Sequence, residues 1–192
     1  FNVSYNHNLY KIKSNVVIWK TDEYRIFILY PYPFPYQTMK ELPNDRDWIE
    51  FVRYRKDLSD MFNGCNGLTT VPLFDTSNVT NMSFMFCDCQ TLTSVPQFDT
   101  SNVINMERMF NGCNGLTTIP LFDTSNVTNM TYMFYGCASL TTIPIFDIRN
   151  VKNIQYMIMG TQITKITFKN KPANLEVTPK ILGKPDVQIT FI

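Results

Sequence analysis

Between residues 61 and 168 the apolar positions recur in a fixed order. Leu68, Val71 and Phe74 are followed by the polar phrase Asp75-Thr76-Ser77-Asn78, then by Val79, Met82, Met85 and Phe86. Met61, Met85, Met109, Met133 and Met157 stand 24 apart (85 − 61 = 24). Pro72, Pro96, Pro120 and Pro144 keep the same step, as do Asp75, Asp99, Asp123 and Asp147, and Cys65, Cys89, Cys113 and Cys137. "FNGCNGLTTVPLFDTSNVTNM" (62–82) returns at 110–130 with Ile119 for Val71 as the single change. A step of this size is the mark of a stacked repeat, in which one coil cannot bury its apolar side and neighbours share a core.

The pattern predicts parallel strands at 68–74, 92–98, 116–122, 140–146 and 163–168, spaced by ~4.8 Å across the stack. Asp and Ser read as helix caps, because their oxygens accept unpaired N–H groups. The spacing of Val79, Met82, Met85 and Phe86 then predicts one face of a short helix. At the N-terminal end, "NLYKIK", "NVVIW" and "YRIFILY" predict two or three antiparallel strands with a turn at Thr21-Asp22. Residues 44–62 predict a longer helix, capped by Asn44, that runs into the first coil. At the other end "QITKITF" predicts the last parallel strand, and "VQITFI" a half-buried strand paired with "ANLEVTP".

The phrase "MFNGCNGLTTVPLFDTSNVTNM" resembles the BspA-type leucine-rich repeats of bacterial and phage surface proteins. The resemblance spans about 58–168 and does not reach 1–57 or 170–192. Its last coil departs from the pattern, with Ile148 and Arg149 for Thr-Ser and Gly160-Thr161 for Gly-Cys. The expected fold is α/β: a right-handed leucine-rich-repeat solenoid of 24-residue coils with a parallel strand ladder and short helices. An N-terminal cap is expected at 1–57, the solenoid at 58–168 and C-terminal cap strands at 169–192. The resemblance implies an exposed, non-enzymatic protein, extracellular on a cell or virion surface, that adheres to a host protein or glycan. The alternative is a structural or decoration subunit of a phage virion, with the repeats as a rigid spacer between neighbouring subunits.

Net charge is +1, so nothing global draws the chain to nucleic acid. The longest apolar runs, such as "IFILY" at 26–30, are too short to span a bilayer, and no membrane insertion is expected. The chain begins at Phe1 without a signal-peptide pattern, and we read it as a processed or excised form. The cysteine column reads as buried free thiols, and zinc is disfavoured because His7 is the single histidine. The aspartate column reads as capping; calcium bridging between coils is the sharper alternative, but no metal or cofactor is expected. Sequons at Asn78, Asn81, Asn126 and Asn129 follow from the structural phrase itself. No nucleophile elbow, phosphate loop or HExxH motif is present.

Comparison of the coils shows where the repeat is free to differ. One position reads Leu73, Gln97, Leu121, Ile145; another Ser83, Glu107, Thr131, Gln155; a third Phe84, Arg108, Tyr132, Tyr156; a fourth Asn66, Gln90, Asn114, Ala138. These are expected to face outward. Phe84, Arg108, Tyr132 and Tyr156 are the candidate ligand-binding residues of the repeats. The proline-spaced strip Tyr30, Tyr32, Phe34 and Tyr36 is a second candidate, held extended by its prolines.

Overall fold

The computed structural model describes residues 55–192 in full and, before them, the backbone of three short strands. Two compact units divide the chain, Phe1–Pro35 and Tyr36–Ile192. In the first, β1 (Asn8–Leu9), β2 (Val17–Lys20) and β3 (Arg25–Ile28) form an antiparallel sheet in that order, as the β-branched and aromatic runs predict. The expected capping-helix residues 44–54 and the Tyr30–Tyr36 strip lie outside the described residues.

From Asp57 onward the chain is a stack of coils tied by parallel bridges between Asp57, Asn81, Asn105, Asn129 and Asn153. The tie is a ladder that uses every second N–H. Met82, Phe84, Phe86 and Asp88 donate to the carbonyls of Asn105, Glu107, Met109 and Asn111 at 2.9, 2.8, 2.9 and 2.7 Å. One coil on, Met106, Arg108, Phe110 and Gly112 donate to Asn129, Thr131, Met133 and Tyr135 at 3.0, 2.9, 2.9 and 2.7 Å. The intervening N–H groups close tight turns within their own coil: Met85 to Met82, Cys87 to Phe84 and Cys89 to Phe86, at 3.3, 3.0 and 3.1 Å.

This overturns the expected short helices; no helix is present among the described residues, 55–62 included. The segment after each DTSN must place Phe84 and Asp88 at φ 57° and 58°, left-handed values that an α-helix excludes. Each follows the turn rule that a positive φ at the third residue marks a type II turn. At the second of these turn positions the other coils carry Gly64, Gly112, Gly136 and Gly160.

The strands expected at 68–74, 92–98 and 116–122 are also absent, and that expected at 140–146 is reduced to its end. Pro72, Pro96, Pro120 and Pro144 sit in the middle of those segments, and proline has no N–H to donate to a ladder. Strands form as the prolines stop. β4 (Phe146–Asp147) follows Pro144, and β5 (Lys165–Lys169) contains none. β4, β5 and β6 (Gln188–Phe191) make a parallel sheet in chain order. β6 therefore pairs with β5 rather than with "ANLEVTP", and 170–191 forms one more, irregular layer. Ile181 and Leu182 take the N–H groups of Tyr156 and Ile158, and Leu175, Val177, Leu182 and Val187 are buried.

The inward set is the one the repeat indicates. Leu68, Val71, Phe74, Val79, Met82, Met85 and Phe86 are buried, and so are their equivalents up the stack except Ile143, which is half-buried. Phe62, Phe86, Phe110 and Phe134 form a ring column with centroids 5.3, 5.5 and 5.7 Å apart. Phe98, Phe122 and Phe146 lie beside it at 6.2–6.3 Å. The five cysteines are free and buried. Cys89, Cys113 and Cys137 donate their thiols to the carbonyls of Phe62, Phe86 and Phe110, each at 3.0 Å.

Three letters of DTSN have separate tasks, and the serine is the partner of the aspartate. Asp75 Oδ1 accepts the Ser77 N–H at 3.0 Å, and Asp99 and Asp123 repeat this, so the aspartates close turns instead of capping helices. Thr76 Oγ1 donates to the Asp99 carbonyl of the next coil at 2.8 Å. Asn102 Nδ2 donates back to the Ser77 carbonyl of the previous coil at 2.8 Å.

Met109 is fully buried in a shared core and Leu121 is 63% exposed. Met109→Ala should therefore cost ~2–5 kcal/mol and Leu121→Ala within about 0.5, read from urea denaturation midpoints. Burial pushes the Cys87 and Cys137 thiols up to about 12 and raises Cys113, while a hydrogen bond with Cys65 and burial raise Cys89. We expect a disulfide reagent at neutral pH to titrate the five cysteines only after denaturant is added.

Candidate functional site

Phe84, Arg108, Tyr132 and Tyr156 occupy the left-handed position of successive turns, with φ of 57°, 51°, 56° and 54°. Their N–H groups all belong to the inter-coil ladder, so the side chains leave the stack at one fixed angle. They form a continuous row. The Arg108 guanidinium carbon lies 5.3 Å from the Phe84 ring centroid and 4.8 Å from that of Tyr132. Tyr132 and Tyr156 stack at 5.3 Å and 20°. The structure thus brings together all the repeat residues singled out from sequence. It says nothing of Tyr30, Tyr32, Phe34 and Tyr36, which lie outside the described residues.

Beside the row is an open concavity of about 530 Å³ lined by Arg108, Asn111, Tyr132, Tyr135, Tyr156 and Met159. Tyr135 meets Tyr132 edge to face, 5.6 Å away at 70°, so two ring planes make a corner. Asn111, Tyr135 and Met159 are not among the sequence candidates. They share one repeat phase with Cys87, and the change Cys–Asn–Tyr–Met from coil to coil is the signal that marks it as variable.

The other outward positions divide. Leu73, Gln97, Leu121 and Ile145 are exposed, whereas Ser83 is buried, its N–H held by Asn81 Oδ1 at 3.1 Å. Glu107 and Thr131 are half-buried, and Gln155 is exposed.

A second recess, of about 450 Å³, lies where Asp123, Asp147, Arg149 and Lys169 meet Leu121 and Ile145. Asp147 is 4% exposed because the next layer covers it. Arg149 donates through Nε and Nη2 at 2.6–3.1 Å, Asn170 Nδ2 at 2.9 Å, and Lys169 Nζ is 3.8 Å away. Burial works against the charge on Asp147, but the bonds from Arg149 and Asn170 and the Arg149 cation outweigh it and hold the carboxyl below its usual range. The Arg149 departure from the repeat thus completes an ion pair at the last regular coil. Among the described residues no group of three or more His, Cys, Asp or Glu side chains is placed to hold a metal ion, and no helix is long and apolar enough to cross a membrane.

Fold and surface define a repeat protein, a parallel stack of coils with a varied outer face. Residues 56–170 match the family described as Mycoplasma protein of unknown function, DUF285, and the chain belongs to that family. Neither a curated protein nor a solved structure matches it.

A carboxyl held below its usual range stabilises the fold above the unfolded-state value of ~3.9, and that contribution disappears as pH falls through the folded-state value. Asp147→Asn should therefore lower the melting temperature at neutral pH, with the gap to the parent closing on acidification below about pH 4.

Proposed function

We propose that this chain is a non-enzymatic recognition module of the BspA type, a right-handed solenoid of the leucine-rich-repeat class displayed outside the cell. Its binding face is the row Phe84–Arg108–Tyr132–Tyr156. The observation that carries this reading is the backbone conformation beneath the row. A non-glycine residue in the left-handed region costs about 1–3 kcal/mol, and such strain gathers where a side chain has a task. At the neighbouring left-handed turn position the same coils use Gly112, Gly136 and Gly160. At the row they carry arginine and tyrosine instead.

Stability does not account for the choice. Cation–π contacts at exposed sites contribute about 0.5–1 kcal/mol and aromatic pairs about 0.5–1.5, which only offsets the strain. Large, semi-rigid aromatic groups and arginine are what binding surfaces use as anchors. The surrounding ladder leaves these residues no backbone donor to give a ligand, so recognition falls to the side chains. Low charge around the row suits a glycan or protein surface better than a phosphate backbone.

The test uses a labelled parent chain and the double variant Tyr132→Asn/Tyr156→Asn on a glycan array and on intact animal cells. Asparagine tolerates the left-handed conformation, so circular dichroism and melting temperature should stay near the parent's. Attachment should fall by at least about tenfold, the loss of one to two anchor contacts. Undiminished attachment by a folded double variant would remove the row from the binding face. If the parent attaches to nothing and its native mass is that of a multi-subunit assembly, the repeats serve as a spacer.

A further inference from the structure

Within the row, Arg108 is the one cation, and nothing among the described residues neutralises it. Among the described residues it makes no ion pair and no side-chain hydrogen bond, and its Nε is buried without a partner. The adjacent Glu107 is engaged elsewhere, accepting a bond from Asn129 Nδ2 at 3.0 Å. No acidic side chain lines the concavity that Arg108 borders. The guanidinium is nonetheless held in place by rings on two sides, Phe84 and Tyr132. A fixed guanidinium with free donors is a preorganised seat for a planar anion, because its fork matches a carboxylate.

Resting on the recognition reading above, we propose that this concavity is the seat of an acidic saccharide: Arg108 takes a sugar carboxylate, and the Tyr135–Tyr156 side bears the sugar ring. The volume of about 530 Å³ is within the range of small-ligand sites, ~300–1,000 Å³. Tyr156 and Tyr135 are 43% and 37% exposed, and Met159 is 40% exposed, so apolar surface is open beside the charge. The phenol hydroxyls and the Asn111 amide supply donors and acceptors of both kinds for sugar hydroxyls.

A single unit charge matches a carboxylate better than a phosphate dianion. Phosphate sites recruit backbone N–H groups or several cations. Here the backbone N–H groups of Arg108, Gly112, Tyr132, Gly136 and Tyr156 are all spent on the ladder, donating to Thr131, Tyr135, Gln155, Met159 and Ile181. The ring corner between Tyr132 and Tyr135 favours a rigid ring over a flexible acidic peptide, which would lose more conformational freedom on binding.

Calorimetric titration of the full chain tests this with a glucuronate-containing disaccharide, its methyl ester, the matching glucose disaccharide and a glutamate-rich peptide. The free acid should bind, and the ester and neutral sugar should bind at least about tenfold more weakly, the worth of one charge-assisted hydrogen-bonded pair. Arg108→Gln should bring the acid down to the level of the neutral sugar, Arg108→Lys should recover part of the difference, and Tyr135→Ser should weaken acid and neutral sugar alike. Melting temperatures establish that each variant folds. Equal binding of acid and ester overturns the carboxylate assignment; if Tyr135→Ser still abolishes that binding, the recognition reading stands without it. Binding of the peptide but of no saccharide overturns the ligand class. Absence of any saccharide binding overturns the proposal, while attachment of the Tyr132/Tyr156 variant judges the recognition reading separately.

Discussion

The inter-coil hydrogen bond from one residue to the carbonyl 23 positions later governs everything else in this chain. It uses alternate N–H groups of 82–88 and their equivalents, while those between them close turns inside their own coil. Such a backbone has almost no donor to spare, which buried peptide groups require. The period is consequently rigid. One inserted residue would shift the ladder, the phenylalanine column and the DTSN contacts together. A stack of this kind tolerates a nearly verbatim repetition of 62–82 at 110–130 because each coil meets the same neighbour above and below.

Much of this was legible in the sequence. The inward residues and the outward Leu73, Leu121 and Tyr156 are where the period puts them. What the period did not reveal is the local conformation. Intervals of three among Val79, Met82 and Met85 suit a helix and a run of three-residue turns equally, and apolar spacing alone does not separate them. What excludes the helix is the left-handed backbone at Phe84, Arg108, Tyr132 and Tyr156, whereas the glycines at 64, 112, 136 and 160 suit a helix end and a tight turn alike. Proline carried the other correction. Four prolines at one phase are incompatible with a central ladder, although the inward spacing of Leu68, Val71 and Phe74 and their equivalents suits a strand. β6 was legible as a strand by alternation, but its partner depends on how the irregular layer 170–187 closes, which no short pattern encodes.

The candidate site was half legible for a related reason. Comparing coils exposes positions released from packing, and that comparison finds Phe84, Arg108, Tyr132 and Tyr156. It does not say that the chain there is left-handed, since tyrosine and arginine give no hint of it. Nor does it rank the phase of Asn111, Tyr135 and Met159, whose side chains reach the row only because the tight turn brings positions three apart together.

The departures from regularity have a common logic. In the interior coils Thr100 and Ser101 serve the turn and the next coil, where bulk or charge would break contacts. At the end of the regular array Ile148 is buried, and Arg149 clamps Asp147 against a layer that no longer repeats. The outer row departs in the opposite sense. Its backbone is fixed by the ladder whatever the side chain, so a change from phenylalanine to arginine to tyrosine alters the surface without altering the coil. A scaffold whose inter-coil ladder is made by the main chain thereby separates the residues that hold it together from those that meet a partner. In this chain the separation runs between neighbouring residues of the same turn: Met85, buried, follows Phe84, which does not belong to the core.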